Sequence, residues 1–134
     1  MKKILILLFP LLVSCSTIQD SVLMTKFDPV EYQLITTIRV NAMQYKNLCN
    51  DPKISQSNAI NMAYQTNLFE KYSEHLTHNG DSYNASKLLN EIAQGLVNRY
   101  NSENQISPVY CQLKFEGIAN SADLIQNVLG SRPR

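Results

Sequence analysis

The chain has 134 residues, 44% of them hydrophobic, with 12 basic residues against 11 acidic ones and a formal net charge of +1. That length bounds one domain with enough apolar residues for an adequate core. The near balance of charge, with no basic stripe, excludes a nucleic-acid partner. No internal repeat or low-complexity linker interrupts the sequence, so a single folded unit is expected.

At the amino terminus Lys2 and Lys3 precede an apolar run over residues 4–13, and small Ser14 separates that run from Cys15. Ten apolar residues as a helix cover about 15 Å, half the roughly 30 Å of a bilayer's hydrocarbon. Pro10 also interrupts the run. A signal segment removed on export is therefore expected, not a membrane span. Leu12-Val13-Ser14-Cys15 resembles the lipobox of bacterial or phage-borne lipoprotein precursors: Leu, a small or branched residue, a small residue, then Cys. The resemblance implies that Cys15 receives a diacylglyceryl thioether, that cleavage follows Ser14, and that the new amino terminus is acylated. Several acyl chains, at about 0.8 kcal/mol per buried CH₂, anchor a protein stably. Ser16, not Asp, follows the cysteine. In lipoproteins of Gram-negative bacteria that implies delivery to the outer membrane, facing the periplasm. In a Gram-positive host it implies the outer face of the plasma membrane.

Three cysteines in an exported chain leave one odd thiol. Lipidation of Cys15 removes it, and an oxidising compartment then allows Cys49 and Cys111 to pair. Removing Lys2 and Lys3 leaves 10 basic against 11 acidic residues, so the exported form is near neutral. Residues 16–26 read as a tether of at most about 40 Å. Val22, Leu23 and Met24 could dock on the domain and shorten that reach. The expected organisation is a signal peptide over 1–14, a lipidated cysteine and tether over 15–27, a helical domain over 28–130 and a tail over 131–134.

Within the domain, Asp28, Pro29 and Glu31 fit N-cap, first turn and capping box, with Phe27 and Tyr32 at the staple positions. Ile35, Ile38, Ala42, Tyr45 and Cys49 follow on one helical face, and Asp51-Pro52 stops the helix. A second helix is expected over about 57–78, ending at Asn79-Gly80, where glycine adopts the left-handed cap cheaply. Asp81 or Ser82 then caps a third, whose stripe is Ala85, Leu89, Ile92, Ala93, Leu96 and Tyr100. Residues 101–107 form a polar loop. Ser107-Pro108 opens a fourth helix with the stripe Cys111, Phe115, Ile118, Ala122, Ile125 and Leu129, closed by Gly130. No comparable segment alternates with period two. The pattern predicts an all-α protein: a small antiparallel four-helix up-down bundle closed by one disulfide. In that topology the end of the first helix meets the start of the fourth, where Cys49 and Cys111 lie.

The chemistry-bearing candidates are few. Glu70, Glu74 and His78 share a predicted helical face, with His75 nearby. These are suitable metal ligands, but the Glu-x-x-His pairs of di-iron bundles are absent, and no metal is expected. A Gly-x-Ser-x-Gly elbow is also absent, the cysteines are expected to be bridged, and no tryptophan offers a sugar platform. An enzyme, a cofactor or a small-molecule substrate is therefore not expected. The second helix is apolar on two sides: Ile60, Tyr64, Leu68 and Tyr72 on one, Met62, Phe69 and Leu76 on the other. One side suffices for a core, which makes Met62, Phe69 and Leu76 the candidate partner-binding residues; the alternative is a helix wedged between two neighbours. Val40 and Met43 point away from the first stripe, and Gly95 and Gly117 sit off theirs, where another surface could approach closely.

The expected function is a non-enzymatic, membrane-anchored adaptor for another envelope protein. A small exported lipoprotein with a helical, disulfide-closed domain is similar in general plan to the type II secretion pilotins. The alternative is a phage- or plasmid-encoded lipoprotein acting on the envelope, by superinfection exclusion or a spanin-like role in lysis. Residues 108–134 resemble small proteins of marine tailed phages. Spanin subunits of the outer membrane are shorter and proline-rich, unlike this chain.

Overall fold

A computed structural model describes residues 25–103 and 105–134. The signal segment, Cys15 and the tether through residue 24 lie outside the described residues. Four helices follow in order: α1 (Pro29–Lys46), α2 (Pro52–Glu74), α3 (Gly80–Ser102) and α4 (Pro108–Gly130), with no strand among the described residues. Three of the helices start on the same chemistry. Asp28, Asp51 and Ser107 each stand at N-cap before a proline, and each side chain accepts from backbone N–H groups in the first turn. The proline costs nothing there, because its missing N–H would have had no partner inside the helix.

Asp51-Pro52 thus has two roles. It ends the run begun by α1 and starts α2 directly, at Pro52 where residue 57 was expected. Its carboxylate accepts from the N–H of Lys53 at 2.9 Å and of Ile54 at 3.0 Å. The carboxyl end of α2 also differs from expectation. The helix stops at Glu74 with His75 as C-cap, short of His78. The left-handed residue of the loop is His78, at φ 57°, and no glycine has positive φ among the described residues. Gly80 instead opens α3, with Asn79 in the N-cap position where Asp81 or Ser82 was expected. Asn79 makes no side-chain cap bond, because its amide is engaged elsewhere. At the other end α3 continues to Ser102, through residues read as loop.

The bundle is antiparallel and up-down. α1 packs most closely along α4 and α2 along α3, with α1·α2 and α3·α4 as the thinner seams. Ile35, Ile38 and Ala42 meet Phe115, Ile118 and Ala122 in the core, and Leu89, Ala93 and Leu96 face them from α3. Ile92, expected on the α3 stripe, is 39% exposed, and Ser82 and Ser86, nearer the start of the helix, are buried in line with Leu89, Ala93 and Leu96. Cys49 falls in the turn after α1 and Cys111 in the first turn of α4, and they are bonded with Cα atoms 5.8 Å apart. Beside them the rings of Tyr45 and Phe115 meet edge-on at 5.6 Å. Gly95 and Gly117 face open space, with nothing within 4 Å of an added β-carbon. Within the chain they admit no close approach. The glycine that does is Gly130, whose added β-carbon would lie 3.2 Å from the Tyr32 ring.

The disulfide closes a loop of 62 residues, which in the chain-entropy model stabilises by about 4 kcal/mol, often less in practice. Replacing Cys49 and Cys111 together with alanine should reduce unfolding free energy by up to that amount and leave helix content intact. Denaturation followed by circular dichroism measures both; an unchanged midpoint would contradict it.

Candidate functional site

The residues read as partner-binding on α2 lie mainly in the core. Met62 and Phe69 are fully buried, and Leu76 is half-buried in the loop after the helix. The opposite side is the exposed one: Ile60 is 53% exposed, Tyr64 66% and Leu68 43%. The inversion has a physical cause. The inward face of α2 is built from small and polar residues around two large ones: Ser55, Ala59, Ala63, Thr66 and Ser73 surround Met62 and Phe69. Thr66 satisfies its hydroxyl within its own helix, at the carbonyl of Met62 3.0 Å away, so burial costs it little. The proposed metal face also dissolves, because α2 ends before His78. Glu70 is engaged by Asn90 at 2.6 Å and Glu74 by Lys71 at 3.1 Å. Among the described residues no group of three or more His, Cys, Asp or Glu converges.

The most organised polar site lies at the end of the bundle opposite the disulfide. Glu31 stands in the first turn of α1 and is completely buried. Its Oε1 accepts from Ser73 Oγ at 2.8 Å, Asn79 Nδ2 at 2.8 Å and Ser82 Oγ at 2.7 Å. Its Oε2 accepts from Arg132 Nη1 at 2.6 Å, and Arg132 Nη2 donates to Asn79 Oδ1 at 2.7 Å. The capping box is therefore only half formed. Asp28 caps the Glu31 N–H at 2.8 Å, but the Glu31 carboxylate turns inward. Its charge lies by the amino ends of α1 and α3, and the guanidinium follows the carboxyl end of α4. Both signs match the helix dipoles. Nearby, Tyr72 donates to the Asp28 carboxylate at 3.1 Å. Loss of solvent around the phenol, then this bond and the Asp28 charge, push Tyr72 above the ordinary tyrosine value.

This network forms one end of an open groove between α3 and α4, of about 1030 Å³. At the disulfide end the α3·α4 seam is filled, with Arg99 of α3 lying over the Tyr110 ring of α4 at 5.1 Å. Toward the Glu31 end α3 lines the seam with Gly80, Asp81, Ser82 and Ala85, all short side chains, and the groove lies between them and α4. Leu124, Ile125 and Val128 of α4 supply the apolar wall, and His78, Asn79 and Arg132 the polar end. Leu124 is 69% exposed and Val128 61%. The Ser82 hydroxyl is committed to Glu31, so the groove is suited to holding an apolar segment against a polar stop, as binding clefts generally are. Of the wall residues, Ile125 stands on the predicted α4 stripe, while Leu124 and Val128 were not singled out in the sequence. The available signal was a second apolar stripe on α4, in which Val109, Leu113, Leu124 and Val128 run beside the core stripe.

Compared with protein-family models, curated proteins and solved structures, the chain matches none. No described helix is long and apolar enough to cross a membrane.

Removing one partner of a buried ion pair leaves the other charge uncompensated, at a cost of about 3–5 kcal/mol. Arg132→Met should destabilise the fold by that amount in chemical denaturation. Arg39→Met removes the pair with Asp123, whose side chains are 31% and 54% exposed, and should cost about 1 kcal/mol or less. Equal effects would contradict the role assigned to Arg132.

Proposed function

We propose that this chain is a lipid-anchored, non-enzymatic adaptor of the cell envelope, whose α3–α4 groove receives an apolar segment of another envelope protein. The groove carries the reading: its wall leaves Leu124 and Val128 largely exposed, and at its polar end Ser82, Asn79 and Arg132 are already engaged in the Glu31 network. The lipobox at Leu12-Val13-Ser14-Cys15 supports the anchor, and Ser16 supports delivery to the outer membrane. Thr25 lies on the groove's rim, ten residues after Cys15, a reach of at most about 35 Å. A partner in the groove is thus held beside the membrane.

Two experiments test the reading. Cys15→Ala should move the protein from the membrane fraction to the soluble fraction; persistent attachment would argue against lipidation. The double substitution Leu124→Glu with Val128→Glu alters exposed positions only, so unfolding free energy should stay within about 0.5 kcal/mol. Crosslinking from native membranes should recover a partner with the unaltered protein and lose it with the double variant. Recovery of the same partner by both proteins, or by neither, would sink the adaptor.

A further inference from the structure

The outward side of α2 carries a pattern that packing within one copy of the chain does not use. Ile60, Tyr64 and Leu68 are all exposed, and at spacings of four they form one ridge along the helix. Outward from Tyr64 the ridge reads alike in both directions. Ile60 and Leu68 stand four residues away on either side, and Asn61 and Asn67, both exposed, stand three away. No charged residue lies between Lys53 and Glu70, so covering the ridge itself takes no ion out of water. α2 packs along α3 and α1, which leaves the ridge pointing away from the α3–α4 groove.

We propose that this ridge is a self-association surface, through which two copies of the chain pair α2 against α2, antiparallel, about a twofold axis at Tyr64. The pairing sets Ile60 of one copy toward Leu68 of the other and Tyr64 beside its own counterpart. A twofold contact requires a surface that complements itself, and the symmetric order of residues about Tyr64 meets that requirement. A lipid surface or an unrelated protein would make no use of it. Ridges spaced by four residues interdigitate with the helix axes crossed at about 50°. Charge selects the antiparallel sense. A parallel pair would bring Lys53 to Lys53 and Lys71 to Lys71, and like charges in register are costly. In the antiparallel pair Lys71 comes to the level of Ser57, Lys53 to that of Glu74, and the two helix dipoles oppose each other.

The area sets the strength. The three apolar side chains expose roughly 300 Å² and their polar neighbours about as much again, so two copies bury roughly 1,200 Å² in all, the lower edge of specific interfaces. The dimer is therefore weak and reversible. It leaves the groove of each copy open and does not depend on how that groove is read.

The test uses the full chain purified in detergent, with single cysteines introduced along the ridge and oxidised by copper phenanthroline against the unaltered chain as background. A disulfide needs β-carbons within about 4.5 Å. Tyr64→Cys should give covalent dimers, and so should Ile60→Cys mixed with Leu68→Cys. Ser57→Cys, about 21 Å from its counterpart along the pair, and Ile60→Cys alone, about 12 Å, should yield about a tenth as much or less. In sedimentation equilibrium the unaltered chain should show monomer and dimer, and Tyr64→Asp should raise the dissociation constant about tenfold or more. Tyr64 is exposed, so that variant should keep the thermal unfolding midpoint of the unaltered chain. A monomer at every concentration, on vesicles as in detergent, overturns the proposal. Equal yields from Ser57→Cys and Tyr64→Cys overturn it too, as do dimers that survive Tyr64→Asp. In native membranes a benzophenone amino acid at position 64 should label a second copy of the chain; labelling of lipid alone, or of a foreign protein alone, overturns it as well.

Discussion

The ion pair between Glu31 and Arg132 is the constraint around which this bundle is arranged. One carboxylate gathers Ser73 from the end of α2, Asn79 from the loop, Ser82 from α3 and Arg132 from beyond α4. Since Glu31 belongs to α1, a single buried charge touches all four helices or their flanking residues. Burying a carboxylate is costly unless its lone pairs are filled and a counter-charge stands close, and here both conditions hold. The opposite end is closed by a covalent bond between Cys49 and Cys111. One end of the bundle is therefore fixed by chain chemistry and the other by electrostatics, with the apolar core between them.

The groove follows from the same arrangement. Serving Glu31 requires short hydroxyl and amide side chains at the start of α3, and Ser82 and Asn79 meet that need. Such residues cannot also fill the space toward α4, so the seam stands open where the polar network is densest. Leu124 and Val128 are left facing it, while the Arg99–Tyr110 contact closes the far end of the same seam. The open groove and the buried charge are two consequences of one choice of residues. That link gives the adaptor reading its physical basis.

Most of the architecture was legible in the sequence because it rests on local signals. Asp-Pro and Ser-Pro pairs mark three helix starts, the α4 stripe is apolar at nearly every turn, and cysteine parity joins the right ends. The signals failed where polar residues take core positions. Thr66, Ser73, Ser82 and Ser86 are buried but carry no apolar signal, so no core stripe included them, and the side of α2 that bears Met62 and Phe69 was taken for the partner face. Glu31 looked like a capping residue because its position and spacing fit one. Nothing local reveals that its carboxylate would instead meet an arginine far along the chain. Asn79-Gly80 misled in a similar way, since the turn is completed by His78 and the pair starts the next helix.

The sequence separation of that ion pair, 101 residues, also carries a consequence for biogenesis. At about 5–20 residues per second of synthesis, Glu31 exists for roughly 5–20 seconds before Arg132 is made. Throughout that interval its carboxylate has no counter-charge, and closing the helices over it is unfavourable. The amino-terminal half is thereby biased toward remaining open while the rest of the chain is produced. For the exported lipoprotein proposed above, this delay would keep the early chain in a translocatable state.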